Sequence, residues 1–289
     1  MSDKQSVAVI GLGQMGLPIS INLVKAGFSV QGWNRSEPAR LSAIAGGVHI
    51  REELASVDAR VVLITLPDLP QLLELLAQGL RKALKAGDVL VVMSTVSPVE
   101  IVKLADELKT EGIVLMDAPM SGGEIGAQQG TLSLMVGGEE ENFNKVKPIF
   151  DAIGRTVLLM GPVGAGQLTK AANQIVVAIN LAAVGEALTF ARRAGLDATK
   201  VLDIFTGGLA TSAVLELRRS KIEARDFPPG GKSKFLLKDL HFAKQAAQSS
   251  ETELPITQLV TQLYESLINH GEGDLDHSAI IREIEKLSE

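Results

Sequence analysis

The stretch Val7-Ala8-Val9-Ile10-Gly11-Leu12-Gly13-Gln14-Met15-Gly16 joins an apolar strand pattern to a glycine-rich turn and the start of a helical pattern. Each glycine has a distinct physical role, since Gly11 allows a tight turn, Gly13 lets the backbone approach a pyrophosphate, and Gly16 lets the helix pack closely on the strand. Free N–H groups at the helix N-terminus attract the phosphates. The spacing therefore predicts a dinucleotide-binding turn, with contacts from Gly11, Leu12, Gly13, Gln14, Met15 and Gly16.

Short apolar runs rich in Val, Ile and Leu recur along the first half of the chain, with helical patterns between them. Runs without polar alternation are typical of strands that helices cover on both faces of a parallel sheet. We therefore predict an α/β fold whose N-terminal domain is a doubly wound, mostly parallel Rossmann sheet. The direction of the last two strands is left open. The predicted strands cover residues 7–10, 28–33, 60–66, 89–93, 113–116, 131–136 and 155–159.

The alternation stops after the glycine-rich segment 161–166, and helical patterns fill the rest of the chain. A proline-free run at 167–193 predicts a helix of roughly 40 Å, long enough to bridge two domains. Its middle, 171–183, is apolar on every side, which predicts neighbours all around it. We predict a Rossmann domain over residues 1–163, a long interdomain helix over 164–194 and an all-helical substrate and oligomerisation domain over 195–289. The predicted helices of this last domain lie near residues 198–205, 213–224, 235–249, 255–269 and 277–287.

Composition limits the partners of the protein. The net charge of −6 comes from interspersed acids and bases, so no basic surface is expected to attract nucleic acid or an anionic membrane. The chain has no cysteine, and its four histidines are scattered without metal-ligand spacing. We therefore expect a small-molecule substrate, no nucleic acid, no membrane and no metal.

Two segments bear on localisation. The N-terminal Met1-Ser2-Asp3-Lys4-Gln5 lacks the basic region and the long apolar stretch of a secretory signal. The least charged long stretch, residues 171–185, is shorter than the about 20 apolar residues that a membrane span needs. We expect a cytoplasmic protein.

The segment after the second predicted strand bears on the choice of cofactor. Rossmann domains that bind NAD carry an acidic residue here, whereas this chain has Asn34-Arg35-Ser36. Arg35 can hold a 2′-phosphate by two charge-assisted hydrogen bonds, and Asn34 and Ser36 can add neutral ones. We predict NADP as the cofactor, with NAD as the alternative. In the other interpretation, Arg35 is a solvated loop residue and Ser36 caps the next helix.

Lys170 is the candidate catalytic acid and base. It lies one turn into the long helix, and Asn173 and Gln174 follow at i+3 and i+4 on the same face. Hydride transfer to a carbonyl needs a proton donor near the oxygen, and apolar surroundings lower the pKa of an ammonium toward the useful range. From the residues alone, a solvated surface lysine is the alternative.

A second cluster, Asp117-Ala118-Pro119-Met120-Ser121-Gly122-Gly123, ends a predicted strand. Open α/β sheets bind ligands at the carboxyl ends of their strands. Ser121 and the backbone amides of Gly122 and Gly123 can hold a substrate carboxylate. An ordinary glycine loop is the alternative.

Four segments together resemble the signatures of the β-hydroxyacid dehydrogenase family, which pairs a Rossmann domain with a helical domain and needs no metal. The segments are residues 11–18, residues 117–123 with Gly130-Thr131-Leu132, residues 161–174, and Lys238-Asp239. They span nearly the whole chain. Two departures leave the substrate open: Met120 stands where valine is usual in the family, and residues 231–235 replace a more apolar approach to Lys238.

The resemblance implies a role for each matching position. It makes Lys170 the catalytic acid and base, with Asn173 or Gln174 as the amide that orients the substrate. The implied carboxylate binders are Ser121, Gly122 and Gly123. The remaining implied contacts are Thr95 near the nicotinamide and the substrate, Leu66 and Pro67 under the adenosine, and Lys238 in the site with Asp239 supporting it.

Within the family, the segments 170–174, 207–210 and 276–279 resemble the enzymes that reduce tartronate semialdehyde (2-hydroxy-3-oxopropionate). The implied activity is a reversible, NADPH-dependent reduction of a small carboxylate-bearing semialdehyde to a β-hydroxy acid. Alternatives are activity on 3-hydroxyisobutyrate, succinate semialdehyde or glyoxylate, and imine reduction on the same fold, against which Lys170 argues. A non-catalytic dinucleotide sensor would not need Lys170, Asn173 and Ser121 together. The apolar helix predicts a homodimer or homotetramer.

Overall fold

A computed structural model describes residues 6–288 of the chain. The chain divides into two compact units, the first ending at Lys170 and the second beginning at Ala171. Residues 1–5, on which the expectation of a missing secretory signal rests, lie outside the described residues.

The first unit contains one mixed sheet. Its strands are β1 (Ser6–Ile10), β2 (Ser29–Trp33), β3 (His49–Ile50), β4 (Val61–Ile64), β5 (Val89–Val92), β6 (Val114–Asp117), β7 (Met120–Ser121), β8 (Leu132–Gly137) and β9 (Gly154–Gly161). Within the described residues these nine strands lie in the order β3-β2-β1-β4-β5-β6-β8-β7, with β9 beside β8. The first six strands of this order pair in parallel. This is the Rossmann order, so the predicted fold class is confirmed.

The direction of the last strands, which the sequence pattern left open, is set by pairing. Strand β8 runs antiparallel to β6 and β7, whereas β9 runs parallel to β8. All seven predicted strands are present, with ends shifted by up to two residues. The unpredicted strands, β3 and β7, have two residues each, too few for an apolar pattern to be recognised.

Helices cover both faces of this sheet because successive strand residues point to opposite sides. In β1, Val7 and Val9 belong to one apolar core, while Ala8 and Ile10 belong to the other. All four side chains are fully buried. The helices of the first unit are α1 (Gly16–Lys25), α2 (Glu37–Ala45), α3 (Leu69–Leu75), α4 (Arg81–Ala83), α5 (Pro98–Lys109), α6 (Gly123–Gln129) and α7 (Glu140–Asp151), with α8 (Ala165–Arg193) beginning here.

The second unit is helical throughout, as predicted. Two apolar cores hold it together, one around Tyr264 and Leu240 and the other around Leu188 and Leu202. A 3₁₀ turn at His277–Ala279 precedes the last helix, where a single helix was predicted. Besides the body of α8, its helices are α9 (Ala198–Gly207), α10 (Ala213–Ala224), α11 (Ser233–Ser249), α12 (Pro255–Asn269) and α13 (Ile280–Lys286).

Helix α8 is long and rich in apolar residues. Among residues 6–288 it alone is long and apolar enough to cross a membrane by length and composition. Ala178, Leu181 and Leu188 on this helix are fully buried in the cores of the second unit. Val176 in the middle of the helix is 60% exposed in the single chain, so the expectation of neighbours on every side needs a second subunit and stays a prediction.

Candidate active site

The glycine turn after β1 has the close approaches that its spacing predicts. Gly11 has a φ of +98°, a backbone conformation that favours glycine. A Cβ at Gly16 would lie 1.8 Å from the Gly11 carbonyl oxygen and 2.4 Å from Thr65 Oγ1. A Cβ at Gly13 would meet nothing within 4 Å. The helix therefore packs directly on the turn, while Gly13 faces open space where a pyrophosphate can approach. These residues fit a dinucleotide.

Asn34 supports this turn from the end of β2. Its side-chain oxygen accepts a hydrogen bond from the Leu12 N–H at 3.0 Å, so it fixes the turn in addition to any contact with a cofactor. Arg35 is exposed and makes no hydrogen bond or ion pair with any residue from 6 to 288. Ser36 occupies the N-cap position of α2, but its side chain makes no capping hydrogen bond. The capping interpretation of Ser36 therefore lacks its hydrogen bond.

A hydrogen bond connects the loop after β4 to the loop after β5. The Leu66 N–H donates to Ser94 Oγ at 3.0 Å. Thr95 follows Ser94 and is half-buried, and Pro67 is exposed. Because the carboxyl ends of parallel strands meet at one edge of the sheet, these predicted contacts lie at the same edge as the glycine turn.

Asp117, at the end of β6, holds the N-terminus of α8. Its fully buried carboxylate accepts hydrogen bonds from the N–H groups of Gly164 and Gln167, both at 2.7 Å. Burial raises the pKa of this carboxyl above its usual value, although the backbone N–H groups oppose the shift. Asp117 is part of the predicted cluster 117–123, in which it had no predicted role.

Lys170 lies in the second turn of α8 and is only 8% exposed. Its Nζ donates a hydrogen bond to the Met120 carbonyl at 2.9 Å, directly before Ser121 in the chain. The solvated-lysine alternative is therefore wrong, because the side chain turns into the protein. The structure brings the predicted acid and base next to the strand that carries the predicted carboxylate binders.

Ser121, Gly122 and Gly123 form the turn between β7 and α6. Gly122 and Gly123 have φ values of +124° and +61°, and both are exposed, while Ser121 is half-buried. A Cβ at Gly123 would meet nothing within 4 Å. The backbone N–H groups of this turn are accessible to a small anion.

Gln167 is a candidate site residue that was not predicted from the sequence. It is 1% exposed, and its amide group binds the backbone of Ser94 and Val96 on either side of Thr95. Its position one turn before the candidate lysine, inside the segment 161–174, is the sequence signal that could have pointed to it.

In the second unit, four of the predicted site residues are connected by a series of polar contacts. Asn173 Nδ2 donates to Gln174 Oε1 at 3.0 Å, and Gln174 Nε2 donates to Asp239 Oδ2 at 2.8 Å. Lys238 Nζ lies 3.8 Å from Asp239 Oδ1 and 5.3 Å from the centre of the Phe242 ring. Lys238 lies in the second turn of α11.

The expectation of a metal-free site stays a prediction. Among residues 6–288 no group of three or more His, Asp or Glu side chains could hold a metal ion.

Two family profiles cover most of the chain. Residues 6–161 match the profile described as the NAD-binding domain of 6-phosphogluconate dehydrogenase, and residues 164–284 match that of the NAD-binding of NADP-dependent 3-hydroxyisobutyrate dehydrogenase. These matches show that the chain binds NAD(P).

Individual relatives cover nearly the whole chain. The 2-hydroxy-3-oxopropionate reductase of Escherichia coli is 40% identical over 96% of this chain and 97% of its own length. The 2-(hydroxymethyl)glutarate dehydrogenase of Eubacterium barkeri is 33% identical over 100% of this chain and 97% of its own length. The crystal structure of a 3-hydroxyisobutyrate dehydrogenase from Salmonella typhimurium superposes with a TM-score of 0.90, at 27% identity, over 96% of this chain and 99% of that one.

Proposed function

The chain belongs to the β-hydroxyacid dehydrogenase family and is an NAD(P)-dependent oxidoreductase, and we propose that it reduces a small carboxylate-bearing semialdehyde with NADPH. The product is the β-hydroxy acid, and the reaction is reversible. The observation that carries the proposal is the buried Lys170 ammonium, 2.9 Å from the Met120 carbonyl at the carboxyl edge of the sheet.

Lys170 supplies the proton in this reaction. When bound, NADPH supplies the hydride that reaches the carbonyl carbon. The Lys170 ammonium donates a proton to the carbonyl oxygen as negative charge develops there, and in the reverse direction the neutral amine removes the proton from the hydroxyl. The hydrogen bond to the Met120 carbonyl orients the ammonium beside the Ser121 turn.

The remaining predicted contacts bind and orient the substrate. The Ser121 hydroxyl and the N–H groups of Gly122 and Gly123 hold the substrate carboxylate. From the second unit, the amides of Asn173 and Gln174 and the Lys238 ammonium are proposed substrate contacts, aligned by Asp239. The 40% identity to 2-hydroxy-3-oxopropionate reductase supports tartronate semialdehyde as the first substrate to test.

We also propose that NADP(H) is preferred over NAD(H). Arg35 is exposed at the end of β2, next to Ser36, with no acidic residue in the Asn34-Arg35-Ser36 segment. A guanidinium at this position can bind a 2′-phosphate by charge-assisted hydrogen bonds, and it has no intramolecular partner among the described residues to compete with that phosphate.

A substrate panel tests the activity. NADPH and NADH oxidation would be followed with tartronate, methylmalonate and succinate semialdehydes, glyoxylate and a cyclic imine. We expect the highest kcat/KM with NADPH and a three- or four-carbon semialdehyde that bears a carboxylate. A higher kcat/KM with the imine would replace the proposal by imine reduction.

Substitution of Lys170 tests the mechanism. Lys170→Ala removes the proton donor, so kcat should fall by roughly 10²- to 10⁴-fold while NADPH still binds. Lys170→Arg keeps the positive charge, but its guanidinium does not release a proton, so it should also be inactive. The control is Lys109→Ala, on the exposed last turn of α5. Retention of more than about a tenth of kcat by Lys170→Ala would remove Lys170 from the acid/base role.

We further propose a homodimer or homotetramer in the cytoplasm. Val176 and Phe190 on α8 are 60% and 73% exposed in the single chain, and burying such side chains against a second subunit is favourable. Sedimentation velocity measures the oligomeric state directly.

A further inference from the structure

One buried amide group connects the loop between β5 and α5, which contains Thr95 and is named the Thr95 loop, to the helix that carries Lys170. Gln167 is 1% exposed. Its Nε2 donates to the Ser94 carbonyl at 2.9 Å, and its Oε1 accepts from the Val96 N–H at 3.0 Å. These two hydrogen bonds flank Thr95. Reversing the amide would place NH₂ against an N–H group and oxygen against a carbonyl, so only one orientation satisfies both partners.

The helix end of this connection is itself anchored. The Gln167 N–H donates to Asp117 at the end of β6. Two glycines leave room for the Asp117 carboxylate: a Cβ at Gly137 would lie 2.2 Å from its Oδ1, and one at Gly166 would lie 2.7 Å from its Oδ2. The backbone of the first turn of α8 is therefore held against the sheet, and Gln167 has little freedom to move.

Lys170 follows Gln167 at i+3, one turn further along α8. Its Nζ is bound to the Met120 carbonyl, beyond the end of β6. Ser94 Oγ accepts a hydrogen bond from the Leu66 N–H, so the loop that Gln167 binds is also bound to the loop after β4. Gln167 thus connects the ends of three neighbouring strands to the turn that precedes the lysine.

We propose that Gln167 is a positioning residue, which sets the separation between the Thr95 loop and the Lys170 ammonium. The inference rests on the proposed function, because it assumes that Lys170 donates the proton. Reacting groups must be held to within a few tenths of an ångström, and a 1 Å misplacement can cost about 100-fold in rate. Without the amide, the loop has lost two buried hydrogen bonds and can shift relative to the helix.

If Gln167 had only a structural role, its loss would lower the stability without a specific loss of kcat. A control variant at Gln31 separates this structural role from the positioning role. Gln31 is also buried, at 7% exposed, and it also binds one backbone carbonyl and one backbone N–H, both of Asp58. Asp58 precedes β4, at the end of the sheet opposite to the glycine turn. Gln31 also donates to Ser6 Oγ at 3.2 Å and accepts from Arg51 Nε at 2.9 Å. Gln31→Leu therefore removes at least as many buried hydrogen bonds from the same unit as Gln167→Leu, without touching the site.

The experiment compares Gln167→Leu, Gln167→Glu and Gln31→Leu in the full-length protein, with the panel substrate that has the highest kcat/KM. Both leucine variants should lower the Tm, Gln31→Leu by at least as much as Gln167→Leu. Only Gln167→Leu should lower kcat, on the order of 100-fold, with little change in the Kd for NADPH. Gln31→Leu should keep the wild-type kcat.

Gln167→Glu adds a readout that a purely structural role would not move. The ionised carboxylate has no proton to donate to the Ser94 carbonyl, whereas the protonated acid restores one donor and one acceptor. Burial favours the neutral form. The ratio of the variant kcat to the wild-type kcat should therefore rise as the pH is lowered.

Three results would each overturn the positioning role. The first is a wild-type kcat in folded Gln167→Leu, and the second is an equal loss of kcat in Gln31→Leu. The third is a ratio of the Gln167→Glu kcat to the wild-type kcat that does not change with pH. If Gln167→Leu does not fold, the pH profile of Gln167→Glu decides. A wild-type protein that reduces no carboxylate-bearing semialdehyde, but is active on another panel member, overturns the proposed substrate class and leaves this comparison measurable.

Discussion

Substitution of Gly16 by alanine should destabilise the first unit by an amount that follows from one distance. The added Cβ would lie 1.8 Å from the Gly11 carbonyl oxygen. Contacts of a real Cβ are essentially never below 3.0 Å, so helix and turn must separate by at least 3.0 − 1.8 = 1.2 Å. Overpacking of this kind costs about 1–3 kcal/mol. The same separation strains the hydrogen bond from Thr65 Oγ1 to the Gly11 carbonyl, which adds about 1 kcal/mol. We expect a loss of about 2–4 kcal/mol in the free energy of unfolding.

Gly13→Ala is the matched control, because its Cβ would meet nothing within 4 Å. This variant should keep the free energy of unfolding within about 0.5 kcal/mol of the wild type. Its methyl group instead projects where the pyrophosphate approaches the backbone, so the Kd for NADPH should rise by at least about tenfold. The two alanines thus separate the structural glycine from the cofactor-facing glycine.

The assay is urea unfolding followed by the fluorescence of Trp33, the only tryptophan of the chain, combined with NADPH titration. Trp33 ends β2, and its carbonyl accepts from the Gly11 N–H at 2.9 Å, so it reports on the unit that is perturbed. A Gly16→Ala protein as stable as the wild type would refute the packing argument. Wild-type NADPH affinity in Gly13→Ala would refute the placement of the pyrophosphate.

The other predictions concern cofactor choice and pH. Arg35→Asp replaces a phosphate-binding cation by an anion, so the ratio of kcat/KM with NADPH to that with NADH should fall on the order of 100-fold; an unchanged ratio would contradict the phosphate assignment. Hydrogen bonds from Lys232 and Lys234 lower the pKa of Asp274 to about 2, against about 3.9 in an unfolded chain. A lowered folded-state pKa means that the contribution of Asp274 to stability is present above about pH 4 and is lost as the pH falls toward 2. Chemical denaturation between these pH values should therefore show a weaker acid dependence for Asp274→Asn, and an unaltered dependence would argue against the ion pairs.

Much of the site was predictable from local pattern. The glycine spacing identified the turn after β1, and the position of Lys170 after a glycine-rich segment identified the candidate acid and base. What the pattern left open was the surroundings of Lys170, because a lysine near the start of a helix can point outward as easily as inward. Its 8% exposure and its bond to the Met120 carbonyl depend on a strand 50 residues earlier in the chain.

Local periodicity determined the parallel sheet, the glycine turn and the helical second half, because strands, turns and helices leave repeats in neighbouring residues. The tertiary structure alone decided the antiparallel placement of β8 beside β6, the capping of α8 by Asp117, and the grip of Gln167 on the Thr95 loop. Each of these joins groups that lie far apart in sequence, and a buried polar group shows its partner only once folding has brought donor and acceptor together.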